Sequence, residues 1–216
     1  MSIDCFNVTT AHLYGDAMAS QFRLRHHVFI ERVDYKVPSW KGMEYDQFDT
    51  PATQYFVWRD AEGIARGVAR LAPTSLNYML KEVWPDKITK IDMPSSERIW
   101  EGTRFGVDHS LPAAERNAIV KELVCAYMEY AATHGIDDII GVMPVGIWRA
   151  VFARNGWKST EIGPVWREDG IEVQAARLPV SMEILQNIRH RTKVSNVLNL
   201  LGEGQDQGHD LAREAA

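Results

Sequence analysis

Between residues 12 and 33, Leu13, Met18, Phe22, Arg25 and Phe29 recur at mostly three- to five-residue steps, the spacing of an amphipathic helix. The pattern then lapses. Residues 33–51 are polar, aromatic and acidic, too long a stretch for an ordinary connector, so a functional or mobile loop is expected. Segments 53–59 and 64–72 read as two strands joined around Glu62-Gly63, a hairpin signal. A short helix is predicted over 78–84, stopped by Pro85, and a third strand over 98–107. The longest helix spans 114–134, with Ile119, Leu123, Ala126, Tyr127 and Tyr130 on one face and Gly135 closing it. Beyond it come a strand over 138–143, a helix over 146–155 ended by Gly156, strands over 157–162 and 171–178, and a helix over 181–191.

The run strand, long helix, strand, helix requires at least one right-handed parallel crossover, whereas the flanking hairpins are antiparallel. The expected fold is therefore single-domain α/β, a mixed sheet with helices on both faces, over residues 1–201. Residues 202–216, rich in Gly, Gln, Asp, Glu and Ala, are expected to form a disordered tail.

Composition narrows the function. Of 216 residues, 45% are hydrophobic and 25% charged, which suits a compact protein and excludes collagen-like, coiled-coil and disordered chains. No apolar run approaches the ~18 residues of a membrane span, and the first residues, Met-Ser-Ile-Asp-Cys-Phe, lack the marks of a secretory signal. The two cysteines, Cys5 and Cys125, have no ligand-like spacing, so a reducing, cytoplasmic setting is expected and a cysteine zinc site is not. A net charge of −5 gives no support to nucleic-acid binding through bulk charge. His26-His27 on a helix do not share a face, so no metal is expected there. The zinc-peptidase, α/β-hydrolase, P-loop and dinucleotide signatures are all missing from the sequence.

Three charges stand where the pattern calls for apolar side chains: Arg25 between Phe22 and Phe29, Arg70 beside Val68, and Glu101 on the face of Ile99. An unpaired buried charge costs several kcal/mol, so each needs a partner or a ligand. An internal ion-pair network that only fixes the fold is the competing reading. The loop Glu44-Tyr45-Asp46-Gln47-Phe48-Asp49 supplies the complement, since Asp46 and Asp49 can face one side of a turn and hold a cationic group. A merely solvated acidic loop is the alternative there.

In order, Arg25-x-x-x-Phe29, Glu44-x-Asp46-x-x-Asp49, Arg70 and Trp100-Glu101-x-Thr103-Arg104-Phe105 resemble the acyl-homoserine-lactone synthases, the autoinducer synthases of bacterial quorum sensing. The resemblance runs from about residue 22 to 156. Two positions depart from the family pattern: Tyr35 stands where a tryptophan is usual, and Gly102 replaces a larger residue. The resemblance implies a fold like that of the Gcn5-related N-acetyltransferases and a two-part reaction on S-adenosylmethionine. The α-amine attacks the thioester of an acyl-carrier protein or acyl-coenzyme A. The methionine carboxylate then displaces the sulfonium, closing the lactone and releasing methylthioadenosine.

In that frame Asp46 and Asp49 hold the cationic groups, Arg25 or Arg104 orients the carboxylate, and Arg70 preorganises the acids. Glu101 is the candidate base, and Arg104 its catalytic neighbour. Strict alternation puts those two on opposite faces, so a bulge is expected, and near Gly102 its N–H groups would stabilise the oxyanion. Phe29, Tyr35 and Phe105 stand on the substrate side. The pantetheine arm is expected between splayed strands, with the acyl chain beside Met79, Met143 and Trp148, for which ordinary core packing is the alternative.

No cofactor is implied, S-adenosylmethionine being a substrate, and neither nucleic acid nor membrane is an expected partner. Residues 108–115 contain no glycine and two acids, which favours a carrier-protein donor over tight binding of a pyrophosphate. Arg23, His26, His27, Arg32, Arg149 and Arg154 are candidates for the carrier's footprint. The rival activities are a generic acyl-coenzyme A N-acyltransferase acting on another amine, and a non-catalytic ligand-sensing module on the same fold.

Overall fold

The computed structural model of the chain describes residues 2–202, so the expected tail lies, apart from Gly202, outside the described residues. In chain order the elements are β1 (Ile3–Phe6), α1 (Ala17–Arg25), β2 (Ser39–Trp40), β3 (Met43–Glu44), β4 (Gln54–Arg59), β5 (Ala65–Pro73), α2 (Met79–Val83) and β6 (Ile99–Val107). They continue as α3 (Ala113–Thr133), β7 (Asp138–Pro144), α4 (Val145–Ile147), β8 (Thr160–Glu168), β9 (Ile171–Pro179), α5 (Met182–Thr192) and β10 (Leu198–Asn199). Eight strands form one mixed sheet in the order β10-β1-β4-β5-β6-β7-β9-β8, and β2 pairs with β3 alone. Among the described residues no helix is long and apolar enough to cross a membrane.

Alternation along β4 divides the core between the two faces of the sheet. Phe56 and Trp58 pack with Leu123, Tyr127 and Tyr130 of α3, whereas Tyr55 and Val57 pack with Leu24 of α1 and with Val28. The crossover β6–α3–β7 brings β6 and β7 together in parallel, as the sequence order requires.

The first helix is not continuous as the periodicity suggests. Gly15, at φ +61°, separates a short 3₁₀ turn at Ala11–Tyr14 from α1, and residues His26–Glu31 continue α1 in a wider π turn. That wider turn presses Val28 and Phe29 onto β6. A Cβ on Gly106 would lie 3.0 Å from Val28 Cγ1 and 3.1 Å from Phe29 Cζ, so glycine permits the approach. The strand expected over 157–162 begins instead at Thr160 and runs to Glu168, with Trp157 wholly buried before it. As an edge strand, β8 tolerates polar residues and Pro164, which hides it from alternation.

Two irregularities in β6 shape the middle of the sheet. Pairing with β7 runs from Ile99–Asp138 to Glu101–Ile140 and stops, after which the strands diverge. On its other edge β6 stays in register with β5 through Gly102–Leu71 and Thr103–Arg70, then resumes at Gly106–Val68. Arg104 and Phe105 therefore oppose the single residue Ala69, with Arg104 at φ +54°. The bulge falls at Arg104 rather than near Gly102. Gly102 is held in register by packing, since a Cβ there would sit 3.1 Å from Ile139 Cγ2 and 3.4 Å from the Tyr127 ring.

Candidate active site

The bulge lets Arg104 turn toward the α1 face, and there it joins a buried set of three arginines and three carboxylates. Arg25 Nε donates to Glu44 Oε2 at 2.5 Å, and its two amino groups bind Asp49 Oδ1 and Oδ2 at 2.7 and 2.9 Å. Arg70 Nη1 donates to Asp46 Oδ1 at 2.7 Å and to Asp49 Oδ1 at 2.9 Å. Arg104 Nη2 bridges Glu44 Oε1 at 2.9 Å and Asp46 Oδ2 at 2.7 Å. None of the six side chains is more than 8% exposed.

Local structure holds the acids in place. The Asp46 N–H donates to Asp49 Oδ2 and the Phe48 N–H to Asp46 Oδ1, fixing the turn between them. Tyr55 Oη donates to Asp49 Oδ1, and Arg70 Nε donates to Thr103 Oγ1. Burial alone would raise the Asp49 carboxyl, but Arg25 and Arg70 override it and hold the group well below the usual range. Burial likewise lowers the arginines' affinity for protons, and the carboxylates more than restore it, so both Arg25 and Arg70 stay charged.

A cavity of about 730 Å³ opens beside this network, in the split between β6 and β7. Asp46, Arg104, Phe29, Tyr35, Phe105, Met79, Met143 and Glu101 all line it. Arg25, Asp49 and Arg70 do not: Arg70 and Asp49 bond directly to Asp46 of the lining, and Arg25 stands one step further back, bonded to Glu44 and Asp49. Asp49, expected beside Asp46 at a ligand, has its acceptors taken by Arg25, Arg70, Tyr55 and the Asp46 N–H. Trp148 lines a smaller void behind Met143. Tyr35 stacks on Phe29 with centroids 6.1 Å apart, and the Arg104 guanidinium lies 5.7 Å from the Phe29 ring centroid.

Arg104 keeps one amino group lightly engaged. Its Nη1 has the weak acceptor Met79 Sδ at 3.8 Å, while its other nitrogens serve Glu44 and Asp46. Arg25, by contrast, spends Nε, Nη1 and Nη2 on Glu44 and Asp49.

Glu101 sits at the apex of the split, 4% exposed. Its oxygens accept the N–H groups of Met79, at 2.9 Å, and Leu80, at 2.6 Å, the first turn of α2. Burial raises its carboxyl and outweighs those hydrogen bonds and Arg70, leaving it at about 7. Such a group exchanges a proton near neutral pH, as a general base must.

Sequence reasoning assigned no role to several of these residues. Glu44, wholly buried on the two-residue β3, joins Arg25 to Arg104. The quoted Glu-x-Asp-x-x-Asp spacing contained it, but nothing local marked its partner sixty positions away. Tyr55 passed as an ordinary strand residue, and Thr103, quoted in the motif, was given no role. At the cavity's mouth Arg32 and Arg116 flank His109, with Arg32 Nη1 3.1 Å from His109 Nδ1. Burial and the two arginines lower the His109 pKa. Among the described residues neither arginine has a carboxylate within ion-pair distance.

The model of a family described as autoinducer synthase matches residues 10–188. An acyl-homoserine-lactone synthase of Acinetobacter nosocomialis is 30% identical over 174 residues, 77% of this chain and 94% of that protein. In fold, the chain resembles a solved CoA-dependent acyl-homoserine lactone synthase, BjaI, bound to SAM and isopentyl-CoA. The TM-score is 0.85 at 24% identity, over 99% of this chain and 98% of that one. An acyl-CoA N-acyltransferase from Pseudomonas aeruginosa shares the architecture at a TM-score of 0.53 and 16% identity, covering 82% and 99%. With its fold, its motif residues and this match in agreement, the chain belongs to the autoinducer synthase family of acyltransferases.

Proposed function

We propose that this chain transfers an acyl group from a pantetheine thioester to the α-amine of S-adenosylmethionine and then closes the homoserine lactone. The observation that carries this reading is one of geometry. A carboxyl poised at about 7 lies at the apex of an open strand split, on the same cavity as Asp46 and the half-engaged Arg104. The cavity thus offers a base, an anion to hold a cation, and a cation to hold a carboxylate.

In the first half-reaction Glu101, directly or through a water, takes a proton from the substrate ammonium. The freed amine forms a bond to the thioester carbon, and collapse of the adduct breaks the carbon–sulfur bond and returns a proton to the departing thiol. Beyond Glu101 and Ile140, β6 and β7 have no strand partner across the split, so backbone N–H groups there are candidates to stabilise the oxyanion. In the second half the methionine carboxylate attacks the carbon bearing the sulfonium, and neutral methylthioadenosine leaves with the bonding pair. Arg104 Nη1 is the better placed of the two candidate arginines to orient that carboxylate, since Arg25 lies off the cavity with its donors spent. Asp46 faces the cationic groups. Arg25, Glu44, Asp49 and Arg70 hold Asp46 and Arg104 rigid, the supporting shell that a precise site requires.

The thioester's phosphate meets Arg32 and Arg116 at the cavity mouth. Carrier-bound pantetheine and coenzyme A both present that phosphate, and the chain requires no cofactor of its own in this scheme. Mass spectrometry of medium from a bacterial host expressing the chain tests the proposal. A homoserine-lactone fragment attached to an acyl mass supports it. A folded, expressed protein whose medium contains no such ion, with branched and aryl acids supplied, points to acylation of another amine.

A further inference from the structure

The two N–H groups that Glu101 accepts belong to α2, a helix of five residues closed by a bond from the Trp84 N–H to the Leu80 carbonyl at 3.1 Å. So short a helix is marginal unless other parts of the fold anchor it. Toward its start, Leu80 is wholly buried in a cluster with Ile140, Ile162 and Ala175, and Tyr78 Oη donates to the Pro94 carbonyl at 2.7 Å. At its far end the Trp84 Nε1–H donates to Glu168 Oε2 at 3.0 Å, the last residue of β8. The same oxygen accepts the Trp166 Nε1–H at 3.1 Å, and the two indole rings pack with centroids 5.9 Å apart.

The chain that follows Trp84 is tied to the same strand. The N–H groups of Thr89 and Lys90 both reach the Ile162 carbonyl, at 3.1 and 3.2 Å. The Lys87 carbonyl oxygen lies so near Gly163 that a Cβ there would sit 1.8 Å from it, so only glycine admits the contact. Residues 84–90 thus form a strap along the outer edge of β8, with the clasp of two indoles and one carboxylate where the strap meets α2.

We infer that Glu168 is a positioning residue for acyl transfer: by clasping the Trp84 indole it fixes the end of α2, and so aims the Met79 and Leu80 N–H groups at the carboxylate of Glu101. The inference rests on Glu101 acting as the base. Those N–H groups favour its ionised form against the burial that opposes it. Released from the clasp, α2 is still retained by Leu80 and Tyr78, so Glu101 stays buried while its two donors fall out of line. It then keeps its proton to higher pH. The other groups facing Glu101 are Arg70 of β5, Asp46 of the acidic loop and the hydroxyls of Tyr78 and of Tyr127 on α3, with apolar Ile140 opposite on β7. Their hydrogen bonds run to partners outside the clasp.

The test compares purified full-length wild type with Trp84→Phe, which keeps a ring but no N–H, with Glu168→Leu, which has no acceptor, and with Glu168→Gln, which keeps one. Lactone formation is followed from pH 5 to 9 with S-adenosylmethionine and a set of straight, branched and aryl thioesters of coenzyme A and acyl-carrier protein. In Trp84→Phe and Glu168→Leu the acid limb of kcat/KM should move up by about half to one pH unit. Rates on that limb then fall about three- to tenfold, and the alkaline plateau is unchanged. Glu168→Gln should follow the wild type. Urea unfolding over the same range reads Glu101 without substrate, and the pH at which its contribution to stability is fully lost should rise by the same interval. A merely structural clasp would lower the whole profile without moving its limb, and that result overturns the inference. So does a limb moved downward, as entry of water or loss of a nearby negative charge would move it. A raised KM with the limb in place would make Trp84 and Glu168, which both line the cavity, direct substrate contacts instead. A wild-type profile flat through pH 7 overturns the base itself, and the inference with it.

Discussion

Replacing Glu101 by glutamine separates its chemistry from its place in the fold. The buried carboxyl is raised from 4.5 to about 7, and each pH unit between those values is worth about 1.4 kcal/mol. Ionising Glu101 therefore costs the folded chain roughly 3 kcal/mol. Between pH 4.5 and 7 the unfolded chain binds fewer protons at this group than the folded one, so its contribution to stability falls as pH rises and is fully lost above about 7. Glutamine removes that loss. It also offers one carbonyl to the two N–H groups of Met79 and Leu80, leaving one poorly satisfied at a cost of about 1–3 kcal/mol. Near pH 8 the two effects roughly cancel, and near pH 4.5 only the penalty remains. Urea unfolding of both proteins at each pH measures this directly: on going from acid to pH 8, the wild type should lose roughly 3 kcal/mol relative to Glu101→Gln. Acyl transfer at pH 8 should meanwhile fall by about 10²–10⁴-fold. A stability difference independent of pH would refute the buried, raised carboxyl, and unchanged product formation would refute its role as base.

Wild-type kcat/KM should rise about tenfold per pH unit up to about 7 and then level, as expected of a base that must lose its proton; a profile flat from pH 5 to 8 contradicts the assignment. Arg104→Lys removes the Nη1 donor and the forked contact to Glu44, so the KM for S-adenosylmethionine should rise about tenfold or more with the fold intact by circular dichroism. Asp49→Asn leaves Arg25 and Arg70 short of one buried counter-charge and should cost about 3–5 kcal/mol in urea unfolding, although Asp49 does not line the cavity. Gly67→Ala would place a Cβ 2.4 Å from Ile119 Cγ2 where α3 crosses β5, and a loss of about 1–3 kcal/mol should result without change in substrate KM.

Elements with a strong hydrophobic period were legible in the sequence itself. The hairpin of β4 and β5, the long α3 and the parallel crossover to β7 each combine a local pattern with a connection rule. The four-residue β1 and two-residue β10 were not, because strands that short have no period and acquire their state from the neighbours they pair with. The site divides in the same way. Arg25, Arg70 and Glu101 announced themselves as charges on apolar faces. Their division of labour did not, since it depends on which side of a wall each stands. Asp46 and Asp49 are three residues apart, yet one borders the cavity and the other is enclosed by two arginines. The need for a bulge came from alternation, but its position was set by packing. Gly102 is held in register between Ile139 and Tyr127, and Arg104 takes the left-handed conformation at a cost on the order of 1 kcal/mol, offset by its carboxylate partners.

Acylation of the amine of S-adenosylmethionine and cyclisation of that same molecule together define the proposed activity. Purified chain incubated with S-adenosylmethionine labelled in its methionine carbons and a set of acyl thioesters, analysed by mass spectrometry over time, tests this most directly. A labelled N-acyl-homoserine lactone and methylthioadenosine should appear in equal amounts, both dependent on Glu101. Thioester consumed while the labelled S-adenosylmethionine remains intact would contradict that reaction.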